Sequence, residues 1–410
     1  MPNYYGIDYL RNKLAQKSIR VIRRYEYYEM KNLPLDPSPL IPTHMKGAYR
    51  SILGWCSKAV DSLADRLMFD GFEEDTDYFN MNNIFDMNNK DIMFDNAILG
   101  ALISACDFIY ISADENGFPR LQVIDGGNAT GILDPITNML VEGYAVLERD
   151  NLDNPITEAY FVAGQTDIIT RGNHKVVTES FTNNALYPLL VPIIYRPDSK
   201  RPFGHSRISR ACMDLMDKAR NTVTRAEVSA EFYAFPQKWV VGLSQDAEPM
   251  DAWKATVSSM LQFTKDDEGQ HPIVGQFATA SMTPHQEQLK MYASAFAGET
   301  GLTVGDLGFE TANPTSAEAI KASHENLRLL ARKAQRTFGT GFLNAGYLAA
   351  CIRDNYPYKR NEIYRSVPKW KPIFEPDAAM LSGIGDAFGK LQQAFPDYVN
   401  EDKLEKLTGI

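Results

Sequence analysis

The sequence predicts an α+β fold class, and three observations carry that reading. Several long segments place apolar residues at steps of three and four, the period of an amphipathic helix. A stretch from about 108 to 197 breaks into short runs rich in β-branched and aromatic residues, separated by turn residues, as an antiparallel meander does. A shorter unit at 236–283 mixes the two patterns. The 410 residues are 44% hydrophobic and 11% aromatic, enough to fill a sizeable core, which excludes a disordered chain.

Taken in order, residues 5–31 read as a helix with Ile7, Leu10, Leu14, Ile19 and Ile22 loosely periodic, broken by the four prolines of "NLPLDPSPLIP". The segment "MKGAYRSILGWCSKAVDSLADRLMFDGF" predicts a second helix with Ile52, Trp55, Val60 and Leu63 near one face, stopping at Gly71. In "NIFDMNNKDIMFDNAILGALISACDFIYIS" a helical pattern gives way after Gly100 to a buried strand containing Phe108, Ile109, Tyr110 and Ile111. The strand segments "RLQVID", "MLVEGYAVLER", "ITEAYFVAG", "TDIIT", "HKVVTESF" and "LLVPIIYRP" follow as one meander.

A long helix then opens at Ser206, its expected cap, with Ile208, Cys212, Leu215, Ala219, Val223 and Ala226 along one face and Pro236 beyond its end. Between 236 and 283, "KWVVGL" and "HPIVGQF" read as strands and "EPMDAWKATVSSML" as a helix. The segment "PHQEQLKMYASAFAGETG" brings the chain back as a helix, and the Gly-rich "GLTVGDLGFETANP" leads into another. There Thr315 and Glu318 have capping-box spacing, Ile320, Leu327, Leu330, Ala331, Ala334 and Phe338 form the apolar stripe, and Lys321, Arg328, Arg332 and Arg336 share another face. The remainder reads as one strand, "KWKPIF", and a polar helical tail.

The formal charge of −10 makes the chain a poor general binder of nucleic acid, because phosphate contacts accumulate through Lys and Arg. No GxxxxGK[ST] loop is present, "GTGFLNAG" follows a helix and reads as a kink or close helix packing, and no HExxH pairs any of the six histidines. Ser206 lies outside any GxSxG elbow, and "FEEDTDYF" lacks EF-hand order and reads as a solvated loop. The four cysteines, far apart and in apolar contexts, are expected to be buried reduced thiols. Nothing reaches the roughly 18 apolar residues of a membrane span, and the charged first residues are unlike a signal peptide, so a cytoplasmic chain without membrane contact, cofactor or metal is expected. Glu325 can pair with Arg328 at i+3, which makes the basic face explicable as the wet side of a helix.

Four stretches, in order, resemble the phage portal proteins, in particular those of long-tailed, siphovirus-type phages and their prophages. "YRSILGWCSKAVDSLADRLMFDGF" is similar to the family's early helix, and "IFDMNNKDIMFDNAILGALISACDFIYIS" to its Asn-containing helix and first wing strand. "YPLLVPIIYRPDSKRPFGHSRIS" resembles the strand and Gly-x-Ser that open the stem helix, and "GDLGFETANPTSAEAIKASHENLRLLARKAQRTFG" the signature after the tunnel loop.

The resemblance implies a portal fold. Residues 1–204 would be the wing (N-terminal helices and a β-rich part), 205–233 a stem helix, 234–283 a small α/β clip and 284–297 the returning stem helix. Residues 298–316 would be the tunnel loop, 317–355 a long wing helix, and 356–410 a strand and short helical crown. It implies a non-enzymatic subunit of a dodecameric ring at one capsid vertex, in the virion and, during assembly, the host cytoplasm. Double-stranded DNA would pass through, terminase and a head-tail connector would dock, and major capsid and scaffolding proteins would surround it. The tunnel candidates are Thr303, Asp306 and Glu310, with Lys290, Lys321, Arg328, Arg332 and Arg336; Trp239, Trp253 and Phe263 are the clip candidates for docking. The Gly-rich segment at 301–308 is expected to move freely. Two rivals are another head structural or connector protein and a metal-dependent nucleic-acid enzyme.

Overall fold

The computed structural model describes residues 4–32, 51–172, 176–234, 238–241, 271, 273–276, 281–309, 322–374 and 378–394. Helix α1 (Ile7–Tyr28) lies on a five-stranded antiparallel sheet, β4 (Ala129–Leu133), β5 (Leu140–Arg149), β6 (Pro155–Val162), β7 (Gln165–Arg171) and β8 (Val176–Thr182), in that order. Its buried residues Leu10, Leu14 and Val21 follow steps of four and seven, and Leu10 and Leu14 pack with Tyr144 and Val146. Ile19 and Ile22, expected to share that face, are 70% and 54% exposed. The helix carried two overlapping apolar stripes, and the sheet beneath selected the one aligned with Leu10.

Two buried glutamates clamp α1 to the sheet. Glu142 accepts hydrogen bonds from the N–H groups of Tyr5 (2.7 Å) and Gly6 (3.2 Å) and from the Tyr160 hydroxyl (2.8 Å), so it ties the chain just before α1 to the sheet. Glu158 accepts from Arg11 (3.0 and 2.8 Å), from Arg171 (3.0 and 2.7 Å) and from the Tyr144 hydroxyl. Burial alone pushes the Glu158 carboxyl up, but Arg11, Tyr144 and Arg171 together hold it below its ordinary range.

The strand run is not one meander. Strands β2 (Cys106–Ala113), β3 (Pro119–Ile124) and β9 (Leu190–Ile194) form a separate three-stranded sheet, order β3-β2-β9. β9 returns across the whole five-stranded excursion to pair Ile194 with Cys106. Strand β4 was not expected at all, since "ATGIL" carries a glycine at its centre, which weakens a strand pattern. The second helix is also shorter than expected. α2 spans Trp55–Ala64, Ile52 precedes it and is exposed, and the chain then forms β1 (Phe69–Phe72). Its partner is β12 (Pro368–Trp370), the strand seen in "KWKPIF". Gly71 takes φ +94°, and a Cβ there would meet Asn82 Oδ1 at 2.5 Å, because the Asn82 amide bonds both the N–H and the C=O of Phe72 at 2.9 Å.

Helices α3 (Met81–Met87) and α4 (Lys90–Ser104) cover the core with α7 (Glu325–Arg353), whose second half is buried almost all round. "GTGFLNAG" continues this helix without a break, as close packing requires. A Cβ on Gly341 would lie 2.8 Å from Ile193, and one on Gly346 2.7 Å from Met81. Phe69, Phe94 and Phe342 meet with centroids 4.6–4.7 Å apart.

Helices α5 (Arg210–Ala234) and α6 (Thr283–Thr300) lie side by side. Ser209, not Ser206, caps α5: its Oγ accepts from Cys212 N at 3.2 Å. Ser206 instead donates to Ile103 O at 2.6 Å and accepts from Ile208 N at 3.0 Å. The next residue, Arg207, is buried; its N–H donates to Leu102 O (2.8 Å), its Nε to Ala59 O (3.1 Å) and its Nη2 to Thr300 O (2.5 Å). Farther up α5, Asp217 accepts from Tyr27 (2.5 Å) and Asn32 (3.2 Å), and Arg220 donates to Asn32 O (3.1 Å). The tail forms α8 (Arg360–Ile363) and α9 (Ala378–Ala394). All four cysteines are buried free thiols.

Two stability changes follow, each read as a urea midpoint at fixed protein concentration. Arg207→Met leaves the Ala59 and Thr300 carbonyls without their donor and lowers stability by about 3 kcal/mol or more. Glu158→Gln lowers it by roughly 1–3 kcal/mol at pH 7. Because the folded Glu158 titrates below its ordinary value, that difference is full above pH of about 4.3 and closes as pH falls through the folded value.

Candidate functional site

The segment after α6 begins with Gly301 in the left-handed region (φ 70°), which ends the helix, and makes a 3-10 turn at Gly305–Leu307 before Gly308 (φ 89°). Between the glycines the chain places Leu302, which is buried, and Val304, Leu307 and Phe309, which pack against the main core. Its expected freedom is therefore not what residues 301–309 show; the glycines serve turn geometry, and the apolar residues between them anchor the segment.

Thr303 and Asp306 bond each other reciprocally. The Thr303 N–H donates to Asp306 Oδ2 at 2.8 Å and the Asp306 N–H to Thr303 Oγ1 at 3.1 Å. The same carboxylate stands 3.2 Å from His324 Nε2, just before α7, so it joins the end of one long helix to the start of the next. Burial pushes Asp306 up, yet the Thr303 and His324 hydrogen bonds outweigh it and hold the carboxyl below its ordinary range. Sequence reading singled out Thr303 and Asp306 and missed His324; the T-x-x-D spacing of a local cap was the available signal.

On α7, Leu327, Ala331, Ala334 and Phe338 are buried as the period predicts, and Leu330 is half-buried. Arg328 donates to Glu325 through Nε (2.6 Å) and Nη2 (2.5 Å), a bidentate pair that holds the Glu325 carboxyl below its ordinary range. Arg332 and Arg336 are exposed on the same helix, and Lys290 is exposed on α6. Glu310, Lys321 and the capping pair Thr315 and Glu318 lie outside the described residues.

Strands β10 (Lys238–Val241) and β11 (Ile273–Gln276) pair antiparallel, with Trp239 opposite Gly275. The indole lies across that glycine, where a Cβ would come within 2.3 Å of Trp239 Cζ2. Trp239, Val241, Ile273 and Val274 are all exposed. A two-stranded ribbon is marginal by itself, and an exposed apolar ribbon is the kind of surface that partners cover. Trp253 and Phe263 lie outside the described residues. Among the described residues, no helix is long and apolar enough to cross a membrane.

Asp306→Ala removes the acceptor of the Thr303 N–H and the partner of His324. A loss of about 1 kcal/mol is expected from the capping part, measured as a lower urea midpoint at pH 7. The gap to the unaltered chain closes below pH of about 3.9, as the depressed carboxyl is protonated.

Comparison with solved structures finds similarity to a chain from the virion of a native gene transfer agent particle, with 12% identity, TM-score 0.47, and coverage of 95% of this chain and 99% of that one. A chain from the neck of the native particle, computed with C12 symmetry, gives 13% identity and TM-score 0.47 over 95% of this chain and 99% of that one. The portal protein of Mycobacterium phage L5 is 24% identical over 348 residues, covering 79% of this chain and 69% of that protein. That of Mycobacterium phage D29 is 24% identical over 357 residues, with the same coverage. The model of the phage portal protein family, SPP1 Gp6-like, matches residues 7–379, and the chain belongs to that family.

Proposed function

We propose that this portal subunit assembles into a closed dodecameric ring at one capsid vertex, through which double-stranded DNA enters during packaging and leaves at ejection. The observation that carries the reading is the family match over residues 7–379. Physical features support it. A conduit must let a duplex slide, and a chain with a net charge of −10 disfavours the accumulated phosphate contacts that would hold it. The sequence has no P-loop, so the energy of translocation would come from a separate terminase.

In this reading residues 1–204 and 317–355 form the wing, α5 and α6 the stem, 234–283 the clip, and 356–410 a strand and crown. Residues 298–316 are the tunnel loop; Thr303 and Asp306 fix its base against His324, and Glu310 remains a candidate farther along. Arg332, Arg336 and Lys290 are the better DNA-proximal cations among the described residues, because Arg328 is engaged by Glu325. Lys321 keeps its candidacy from sequence position. The exposed β10–β11 ribbon around Trp239, with Trp253 and Phe263 in the same unit, is the docking platform for terminase and then a head-tail connector. The ring sits among major capsid and scaffolding proteins, in the virion and earlier in the host cytoplasm, and acts without catalysis.

Electron microscopy of the purified chain tests the reading: rings with a central hole are expected, whereas a persistent monomer with divalent-ion-dependent nuclease activity would sink it. The paired change Arg332→Glu with Arg336→Glu should lower packaged DNA at least a few-fold and leave rings intact. Unchanged packaging would remove those arginines from the channel.

A further inference from the structure

Two surface patches of opposite charge stand at the two ends of α4. At its C-terminal end, Arg24 donates to Ser104 O at 2.6 Å. The loop 196–205 is fastened alongside: Tyr195 N donates to Ala105 O (3.0 Å) and His205 N to Tyr195 O (2.9 Å). Arg20 lies one turn before Arg24 on α1, and Arg201 sits on that loop. After burial itself, the charges of Arg20 and Arg201 are what pull the Arg24 guanidinium down, to about 10. The loop's one carboxylate, Asp198, is taken up by His205 Nε2 at 2.5 Å and by the N–H groups of Lys200 and Arg201. Exposed Ile19 lies one turn before Arg23, a further exposed cation of α1, whereas Ile22 is on the side turned away from Arg20 and Arg24.

At the N-terminal end, Asp91 and Asp95 lie one turn apart on the exposed side of α4, and exposed Asp65 is the C-cap of α2, which packs on α4. Burial and then Asp91 push the Asp95 carboxyl above its ordinary range, Lys371 opposes this, and Asp65 adds to it. Exposed Met68 and Ile92 stand beside these carboxylates. Like charges at i,i+4 are destabilising, so each patch is self-repulsive in a lone subunit. Asp91 and Ser104 are separated by about 20 Å of helix at 1.5 Å per residue, so the patches do not neutralise each other within one chain.

We propose that these patches are the two unlike halves of the lateral contact in the ring: Arg20, Arg24 and Arg201 of one copy, with Ile19, seat against Asp65, Asp91 and Asp95 of the next, with Met68 and Ile92. The inference rests on the ring reading above. A closed ring needs a heterologous contact, in which two different surfaces of the same chain meet. The patches match in charge, and each carries apolar surface that a neighbour would remove from water. A duplex would answer the basic patch alone and leave Ile19 wet and the acidic end unexplained.

Charge swapping on the full chain tests this. Arg20→Glu with Arg201→Glu, and separately Asp91→Lys with Asp95→Lys, change exposed residues. Each variant alone is expected to stay a folded monomer by circular dichroism and light scattering, losing at least nine-tenths of its rings in electron micrographs. Mixing the two monomers restores the match at every contact, so rings of alternating copies should return; combining all four changes in one chain should do the same. Rescue in the mixture is a result that mere loss of folding would not give. If either variant forms rings as well as the unaltered chain, the interface is wrong and the ring reading stands; if neither mixture nor combination rescues, the pairing is wrong. A variant with intact rings but weaker retention on double-stranded DNA would assign the basic patch to nucleic acid and overturn the proposal. An unaltered chain that forms no rings would overturn the ring reading, and this contact with it.

Discussion

The joint made by Arg207 is the interaction on which the remainder of the structure depends. A helix C-terminus leaves carbonyls without intrahelical donors and carries the negative end of the helix dipole. Two such ends, those of α4 and α6, converge here, and Arg207 meets both: its N–H takes Leu102 O and its guanidinium takes Thr300 O, while Nε reaches Ala59 O on α2. Ser206 and Arg24 satisfy the neighbouring carbonyls of Ile103 and Ser104. The residue three positions before the long helix α5 thereby also meets the end of α6. The α5–α6 pair is rooted in the core by one buried cation whose hydrogen bonds are all to main-chain oxygens.

A second constraint holds the N-terminal helix in place by a different means. Glu142 and Glu158 are buried on a sheet, where an unpaired carboxylate would be costly, and each is surrounded by donors from α1 and from neighbouring strands. The sheet cannot shift under α1 without stripping those donors away. With α1 fixed, its arginines and the end of α4 are held in one orientation.

Much of the helical framework was legible from local pattern. The stripe Leu327, Ala331, Ala334 and Phe338 is buried where a period of 3.6 puts it, and the Glu325–Arg328 pair forms at i+3 as spacing alone suggests. Of the candidate site, Arg328 was seen in its protein partnership, whereas the binding of Asp306 to His324 was not, because eighteen residues and a turn separate them. The glycines of 301–308 suggested freedom, yet Leu302, Val304, Leu307 and Phe309 found the core, a contact composition cannot reveal. Likewise "ATGIL", with a glycine at its centre, has a weak strand pattern and becomes one because β5 lies beside it.

By itself the sequence determined the α+β class, the long helices and their buried faces, and the order of stretches that resembles portal proteins, since these are properties of neighbours within a few turns of chain. Tertiary structure alone decided that seven apparent strands divide between two sheets with an eighth added, that Ser209 rather than Ser206 caps α5, and that Val21 rather than Ile19 and Ile22 faces inward. In each case the deciding partner lies far away in sequence: β9 reaches β2, Ser206 is drawn to Ile103, and the sheet chooses between two stripes on α1. Periodicity states which residues can be buried together, and only the packed chain states what buries them.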